Sequence, residues 1–386
     1  MRKINLLYVI TKLELGGAQK QLLDLITNLD KEQFNPFLFT ANEGLLIPEA
    51  LSINGLTLIK SRYLARAINP LKDALALLEI YRVIKNNQID IVHTHSSKAG
   101  ILGRWAAKLA KVKAILHTVH GWSFNDYQIR FKRIFFICLE RISAKFTDKL
   151  IVVSYHDKQR GLANNIGGKD KYTLIRYGID YSAFSIKEQN LRKDLGINPN
   201  DLVVGMIACL KPQKSPQDFI KLANIVSQIM PDIKFLLVGD GILRANIERL
   251  IGKLNLKNNI ILAGWRQDIP RILAVIDIFI LTSLWEGLPI VVLEAMASSR
   301  PIVVTQTGGI QEIIIDGKTG FLVPTRDIGR MAERLITLLK DAELRSKIGQ
   351  NARNSLNFDF CIENMASKTQ YCYDNLILDK GVGYVS

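Results

Sequence analysis

The chain has 386 residues, 48% hydrophobic and 23% charged, enough apolar mass for two domains with cores of their own. Its four cysteines (Cys138, Cys209, Cys361, Cys372) make no CxxC pair and no ligand cluster with the five histidines, which excludes a disulfide scaffold and a zinc module and suits a reduced, cytosolic protein. The net charge of +15 is lopsided: residues 1–190 hold 28 Lys/Arg against 16 Asp/Glu, a net +12, so an anionic partner is expected for the first half.

The segment Ile4–Ile10 is too short for a signal peptide or a span, and no other run approaches 18 apolar residues, so no integral membrane segment is expected. Strands are predicted at Ile4–Ile10, Phe34–Thr40, Ile89–His95, Ala114–His120 and Lys149–Ser154. Helices alternate with them at Ala18–Leu29, Asn69–Lys85, Lys98–Ala110 and Gln128–Phe146. A second series follows, with strands Leu202–Ala208, Ile233–Val238, Ile260–Ala263, Ile276–Leu281 and Pro301–Thr305. Its helices are Pro216–Met230, Ile242–Leu254, Ile290–Ser298 and Gly309–Ile315, and Ile328–Leu339 and Phe360–Leu376 also read as helical. Continuous Val/Ile/Leu strands between amphipathic helices predict a doubly wound parallel sheet in each half, an α/β fold of two Rossmann-like domains. The expected division is 1–190, 191–358 and a C-terminal helix and tail, 359–386, packing back on the first domain, with the join at the polar stretch Ser185–Asn200. Ligands of such sheets bind at the carboxyl ends of the strands, which here predicts a cleft between two facing sheets.

The loops at those ends carry the chemistry. Ser283-Leu-Trp-Glu286-Gly-Leu-Pro289 leads from a strand into an apolar helix, with Pro289 suited to the first helical position. Glu286 then lies on the loop and Glu294 about 7–8 Å along the helix, two acceptors spaced for a long polyhydroxylated ligand. Gly16-Gly17 opens the first helix, where backbone N–H groups and the helix dipole attract an anion. Gly308-Gly309 repeats the arrangement, and Gly239-Asp240-Gly241 ends a strand with room for a base or ribose. Lys214 sits between a strand and a helix as a point charge for a diphosphate, with Lys211 three residues before it and Arg266 after a neighbouring strand. His120 ends a strand beside a glycine. His93 and His95 form an i, i+2 pair more suited to satisfied strand-end residues than to a metal. There is no Asp-x-Asp motif, so no metal held by paired aspartates is expected, and Gly317-Lys-Thr319 lacks the glycine of a P-loop because Glu312 stands there.

These residues together resemble the retaining glycosyltransferases of the GT-B class, family 4, in their capsule and polysaccharide branch. The resemblance runs from Tyr8 to about Leu339 and is most specific at Glu286…Glu294 with its Gly-Leu-Pro turn. It implies transfer of a sugar from a nucleotide sugar, UDP rather than GDP on family grounds, without metal or cofactor. Glu294 would bind the ribose, Glu286 the donor sugar, Lys214 the diphosphate, Gly16-Gly17 the phosphates and His120 the sugar, with the acceptor on the first domain. The family's usual arginine before Lys214 is Cys209 here, so Lys211 is the expected substitute. The family's Asn-Gly-Ile-Asp loop reads Tyr177-Gly-Ile-Asp180.

The segment Arg130–Phe146 has apolar residues at 131, 134, 135, 138, 139, 142 and 146 among five basic ones. A core-facing helix is one reading. The other is a surface resting on anionic lipid while a lipid-linked acceptor is glycosylated at the cytoplasmic face of the inner membrane. A nucleotide-sugar epimerase of the same architecture is the alternative enzyme. A nucleic-acid-binding role lacks basic residues interleaved with aromatic platforms and is set aside.

Overall fold

The computed structural model describes residues 2–185 and 190–380, which fall into two compact units, residues 2–178 with 362–380 and residues 179–185 with 190–361. The first is built from β1 (Ile4–Val9), α1 (Gly17–Thr27), β2 (Phe34–Ala41), α2 (Ile47–Ser52), β3 (Thr57–Ser61) and α3 (Pro70–Asn86). It continues with β4 (Ile91–His95), α4 (Ser97–Ala110), β5 (Ala114–Val119), α5 (Arg130–Lys145), β6 (Lys149–Val152), α6 (Tyr155–Ala163) and β7 (Tyr172–Leu174). The seven strands are all parallel in the order β3-β2-β1-β4-β5-β6-β7.

Strand periodicity divides the core of this unit. Leu6, Tyr8 and Ile10 face one side, with Leu22, Leu23 and Ile26 of α1. Leu7 and Val9 face the other, with Ala76 and Ile80 of α3 and Ala106 and Ala107 of α4. Burial on both faces is why these strands read as continuous apolar runs rather than alternating ones.

The second unit contains α7 (Asn190–Asp194), β8 (Val203–Ile207), α8 (Pro216–Ile229), β9 (Lys234–Val238), α9 (Arg244–Lys253) and β10 (Ile260–Gly264). Next come α10 (Ile269–Val275), β11 (Ile278–Leu281), α11 (Ile290–Ala297), β12 (Ile302–Thr305), β13 (Phe321–Val323), α12 (Ile328–Lys340) and α13 (Ala342–Ser355). Its parallel order is β10-β9-β8-β11-β12-β13. The final helix, α14 (Ile362–Asp379), returns to the first unit, where Met365, Ala366, Cys372, Tyr373, Leu376 and Ile377 join the core beside α1.

The chain passes between units at Gly178–Ile179 and again at Cys361–Ile362. Of the expected join at Ser185–Asn200, residues 186–189 lie outside the described residues. Two expected details differ. Pro289 caps α11 in extended conformation instead of opening it (φ −74°, ψ 113°), and Ile290 is the first helical residue. The expected helix Gly309–Ile315 is a 3-10 turn over Gly308–Glu312, because Gly308 is left-handed (φ 55°) and the N–H of Gly309 donates to Gly287 O at 2.7 Å.

Candidate active site

In each sheet the strand order reverses once, between β1 and β4 in the first and between β8 and β11 in the second. Loops leaving such a pair diverge and open a crevice at the carboxyl edge. In the second unit the two loops at this point carry Lys214 and Glu286. Lys214 Nζ donates to Glu286 Oε1 in an ion pair whose side chains are 14% and 6% exposed.

The scaffold around the pair is hydrogen-bonded across the gap. Gln213 Nε2 donates to Trp285 O at 2.8 Å, and Leu284 N–H donates to Gln213 O at 2.8 Å. The Thr282 hydroxyl donates to the carbonyls of Lys214 and Ser215 at 2.9 and 3.0 Å. These neutral side chains gave no signal in the sequence beyond being polar residues beside the two charged ones. Lys214 ends a 3-10 turn (Pro212–Lys214), and Ser215 after it is left-handed (φ 44°), which starts α8 abruptly. Lys211 caps that turn in extended conformation, and its carbonyl accepts from Lys214 N–H at 3.0 Å.

In the second unit, Gly239, Gly241 and Gly308 are demanded by close backbone approach. A Cβ on Gly239 (φ 123°) would lie 2.1 Å from Ala208 O, and one on Gly308 would lie 2.1 Å from Glu286 O. The Gly239-Asp240-Gly241 turn is thereby tied to the Lys211–Lys214 loop, with Leu210 N–H donating to Asp240 O at 2.9 Å. Gly308-Gly309 is tied to the Glu286 loop in the same way. Asp240 Oδ1 accepts from Gly241 N–H at 2.7 Å. Arg266, after β10, commits both Nε and Nη2 to the carboxylate of Asp268, at 2.8 and 2.5 Å. That fork holds the Asp268 carboxyl below its usual range. Glu294 is the fifth residue of α11 and half-buried. Lys211, Lys214, Gly239, Asp240, Gly241, Arg266, Glu286, Glu294, Gly308 and Gly309 therefore share one edge of one sheet.

Gly16, Gly17 and His120 lie at the corresponding edge of the first sheet. Gly16 is the N-cap of α1 in extended backbone (φ −163°), and a Cβ there would meet only the flexible tip of Gln19. Unlike Gly239 and Gly308, it has no packing reason to be glycine. Across the strand reversal, the Thr11 and Ser96 hydroxyls bond at 2.8 Å.

His120, half-buried, packs with a group of buried aromatic and imidazole rings. Its Nδ1 bonds the Tyr177 hydroxyl at 2.6 Å and its Nε2 bonds His95 Nδ1 at 2.9 Å. His93 bonds the Tyr373 and Thr118 hydroxyls at 2.6 and 2.7 Å, and Tyr373 donates on to Tyr8 at 3.2 Å. Burial pushes the His120 imidazole down to about 3, and burial with the neighbouring His120 does the same to His93. All these rings are neutral near pH 7. Tyr177, which occupies the place of the family's asparagine, thus anchors the residue expected beside the sugar.

The α5 helix turns its small and polar face inward, burying Ile137, Glu140, Ser143 and Ala144. Glu140 accepts from Arg104 Nη2 of α4 at 2.6 Å, a pair that is 2% and 0% exposed. The outward face carries Phe131 (80% exposed), Ile134, Phe135 and Ile142, preceded by Ile129 (73% exposed). The core-facing reading of these apolar residues is therefore corrected: the buried ion pair fixes which face of α5 meets α4. Among the described residues no helix is long and apolar enough to cross a membrane.

Residues 187–355 match the family of glycosyl transferases group 1, and residues 15–183 match glycosyltransferase family 4. The chain is 33% identical over 98% of its length, and 98% of the relative's, to a UDP-Gal:alpha-D-GlcNAc-diphosphoundecaprenol alpha-1,3-galactosyltransferase of Escherichia coli. It is 28% identical over 84% of its length, and 87% of the relative's, to an N,N'-diacetylbacillosaminyl-diphospho-undecaprenol alpha-1,3-N-acetylgalactosaminyltransferase of Campylobacter jejuni. Among solved structures it shares the fold of HepE from Anabaena, solved with UDP and glucose, with a TM-score of 0.84, 19% identity, and coverage of 96% of this chain and 100% of that one.

Proposed function

The chain belongs to the group 1 glycosyl transferases and has their GT-B fold, and we propose that it moves a hexose, with retention, from a UDP-sugar to a lipid-linked sugar diphosphate in surface polysaccharide assembly. The observation that carries this reading is the Lys214–Glu286 pair at the strand reversal of the second sheet. UDP is supported by the donor named for the Escherichia coli relative and by the nucleotide in the HepE complex. The diphosphoundecaprenol acceptors named for two relatives support the lipid-linked substrate.

In this mechanism Glu294 accepts from the ribose hydroxyls and Glu286 from the donor sugar, while Lys214 turns its charge to the diphosphate. Lys211 supplies the second positive charge in place of the missing arginine at Cys209. Arg266, its fork held by Asp268, offers the flat face of its guanidinium to the base, and Gly239-Asp240-Gly241 borders it. Backbone N–H groups at Gly16-Gly17 and near Gly308-Gly309 would face phosphate, Gly16 being unencumbered by any packing demand. His120, kept neutral and fixed by Tyr177 and His95, orients against the sugar. The acceptor oxygen attacks the anomeric carbon on the face from which the diphosphate departs. The bond to the diphosphate breaks, and the leaving oxygen takes the acceptor's proton. Preorganised positive charge stabilises the departing diphosphate without a metal.

The outward apolar and basic face of α5 would rest on an anionic bilayer at the cytoplasmic side, with Arg130, Lys132 and Lys145 toward the headgroups. Flotation with liposomes tests this: binding to anionic vesicles that weakens with salt and with Phe131→Ser is expected, and equal binding to neutral vesicles counts against it. For the activity itself, a panel of nucleotide sugars is incubated with a bacterial membrane extract and the products are read by mass spectrometry. Acceptor-dependent release of UDP is expected. Transfer that survives Lys214→Ala and Glu286→Ala unchanged would sink the assignment.

A further inference from the structure

At the carboxyl ends of β4 and β5 the first unit has a recess lined in part by Ser97, His120, Trp122, Ser123 and Glu140. Its volume is about 10 Å³, room for a single hydroxyl or water. Glu140 is 2% exposed, and only its Oε2 is engaged by Arg104. Two polar atoms here are buried without a partner, Ser123 Oγ and, behind the carboxylate, Arg104 Nη1. Leaving Ser123 Oγ unpaired is unfavourable, and a polar group that enters the recess relieves it.

The lining selects the visitor. A carboxylate at the wall repels phosphate but accepts strongly from a hydroxyl. Ser123 Oγ adds a donor that nothing in the protein uses. Trp122 is immobilised by the bond from its indole N–H to Asp157 O at 2.8 Å and by stacking on Phe124 at 5.5 Å, so it presents a fixed apolar surface. Acceptor, donor and fixed aromatic wall match the edge of a pyranose rather than an anion or an apolar chain.

We infer that this recess is an acceptor subsite, receiving one hydroxyl arm of the acceptor sugar, with Glu140 accepting from it and Ser123 donating to it. The inference rests on the glycosyltransferase reading and adds the residues that recognise the acceptor. An ordered water is the competing occupant.

The test uses Ser123→Ala and Ser123→Leu, which break no hydrogen bond of the protein and spare the Arg104–Glu140 pair. The probe is a synthetic α-GlcNAc diphosphate bearing a short alkyl chain, together with its monodeoxy analogues. UDP binding is followed by calorimetry and acceptor binding by saturation-transfer NMR. Ser123→Leu, which overfills a recess of this size, is expected to raise the acceptor KM by about tenfold at some cost in Tm. Ser123→Ala is expected to raise it less, with Tm and UDP affinity unchanged. One monodeoxy analogue is expected to lose affinity for the wild type but lose nothing further with Ser123→Ala. An unchanged acceptor KM in Ser123→Leu, while the wild type transfers normally, overturns the subsite alone and leaves a water as its occupant. A wild type that binds UDP but neither binds nor glycosylates this acceptor overturns the acceptor reading, and the subsite with it.

Discussion

Lys214 and Glu286 join the two strands, β8 and β11, between which the order of the second sheet reverses, and they do so while almost wholly buried. The pair is held from both sides by bonds from the Gln213 and Thr282 side chains to the carbonyls of Trp285 and Lys214. Such an arrangement fixes a cationic head at the mouth of the crevice before any anion arrives.

Removing one partner leaves the other as an unbalanced charge. Lys214→Met and Glu286→Met should each reduce transfer at least a hundredfold and lower Tm. The double variant should be equally inactive yet more stable than either single one, since a buried pair broken on one side is worse than none. Thermal unfolding of the three proteins decides it; strictly additive losses would contradict the coupling.

The histidine chain makes the first unit acid-sensitive. His93 and His120 titrate near 3 when folded, against about 6.5 when unfolded. The unfolded state therefore binds more protons between these values, so stability is complete above pH 6.5 and falls as pH drops toward 3. Tm followed from pH 7 to pH 4 should decline, and the decline should shrink in His93→Gln. A flat profile argues against neutral burial.

The Arg104–Glu140 pair sets the stance of α5. Arg104→Met strands a buried carboxylate and should cost about 3–5 kcal/mol. Adding Glu140→Leu should return most of that loss, read from denaturant midpoints. If Arg104→Met alone is neutral, the pair is not what orients the helix.

The two glycine turns should respond differently. Gly308→Ala forces a Cβ into Glu286 O at a left-handed position, displacing the Glu286 loop, with roughly 1–3 kcal/mol of strain. Both Tm and activity should fall. Gly16→Ala should leave Tm unchanged and weaken only UDP-sugar binding, measured as a rise in donor KM; a stability loss there would mean that Gly16 has a packing role after all.

Much of this was legible in the residues. Buried parallel strands announce themselves as unbroken Val/Ile/Leu runs, and the charged loops at their ends follow from the alternation. Less regular pieces were not. β3 (Thr57–Ser61) is a short, half-exposed edge strand, and β7 and β13 have three residues each, too few for a period to register. The turn at Gly308 escaped because its conformation depends on Gly287 and Glu286, some twenty residues earlier. Periodicity in α5 marked a stripe but not its direction, which is set by Arg104 in another helix. Nor does anything local link Tyr177 to His120, 57 residues apart.

The return of α14 to the first unit has a consequence for biosynthesis. Tyr373 closes the bonds of His93 and Tyr8, which were translated some 280 and 365 residues earlier. On the ribosome, the unit that comes second in the gene is the first to have all its parts. The amino-terminal unit must wait, with part of its core uncovered, for the last helix to emerge. Loss of α14 would therefore uncover the core of the amino-terminal unit and leave the second unit's own core intact.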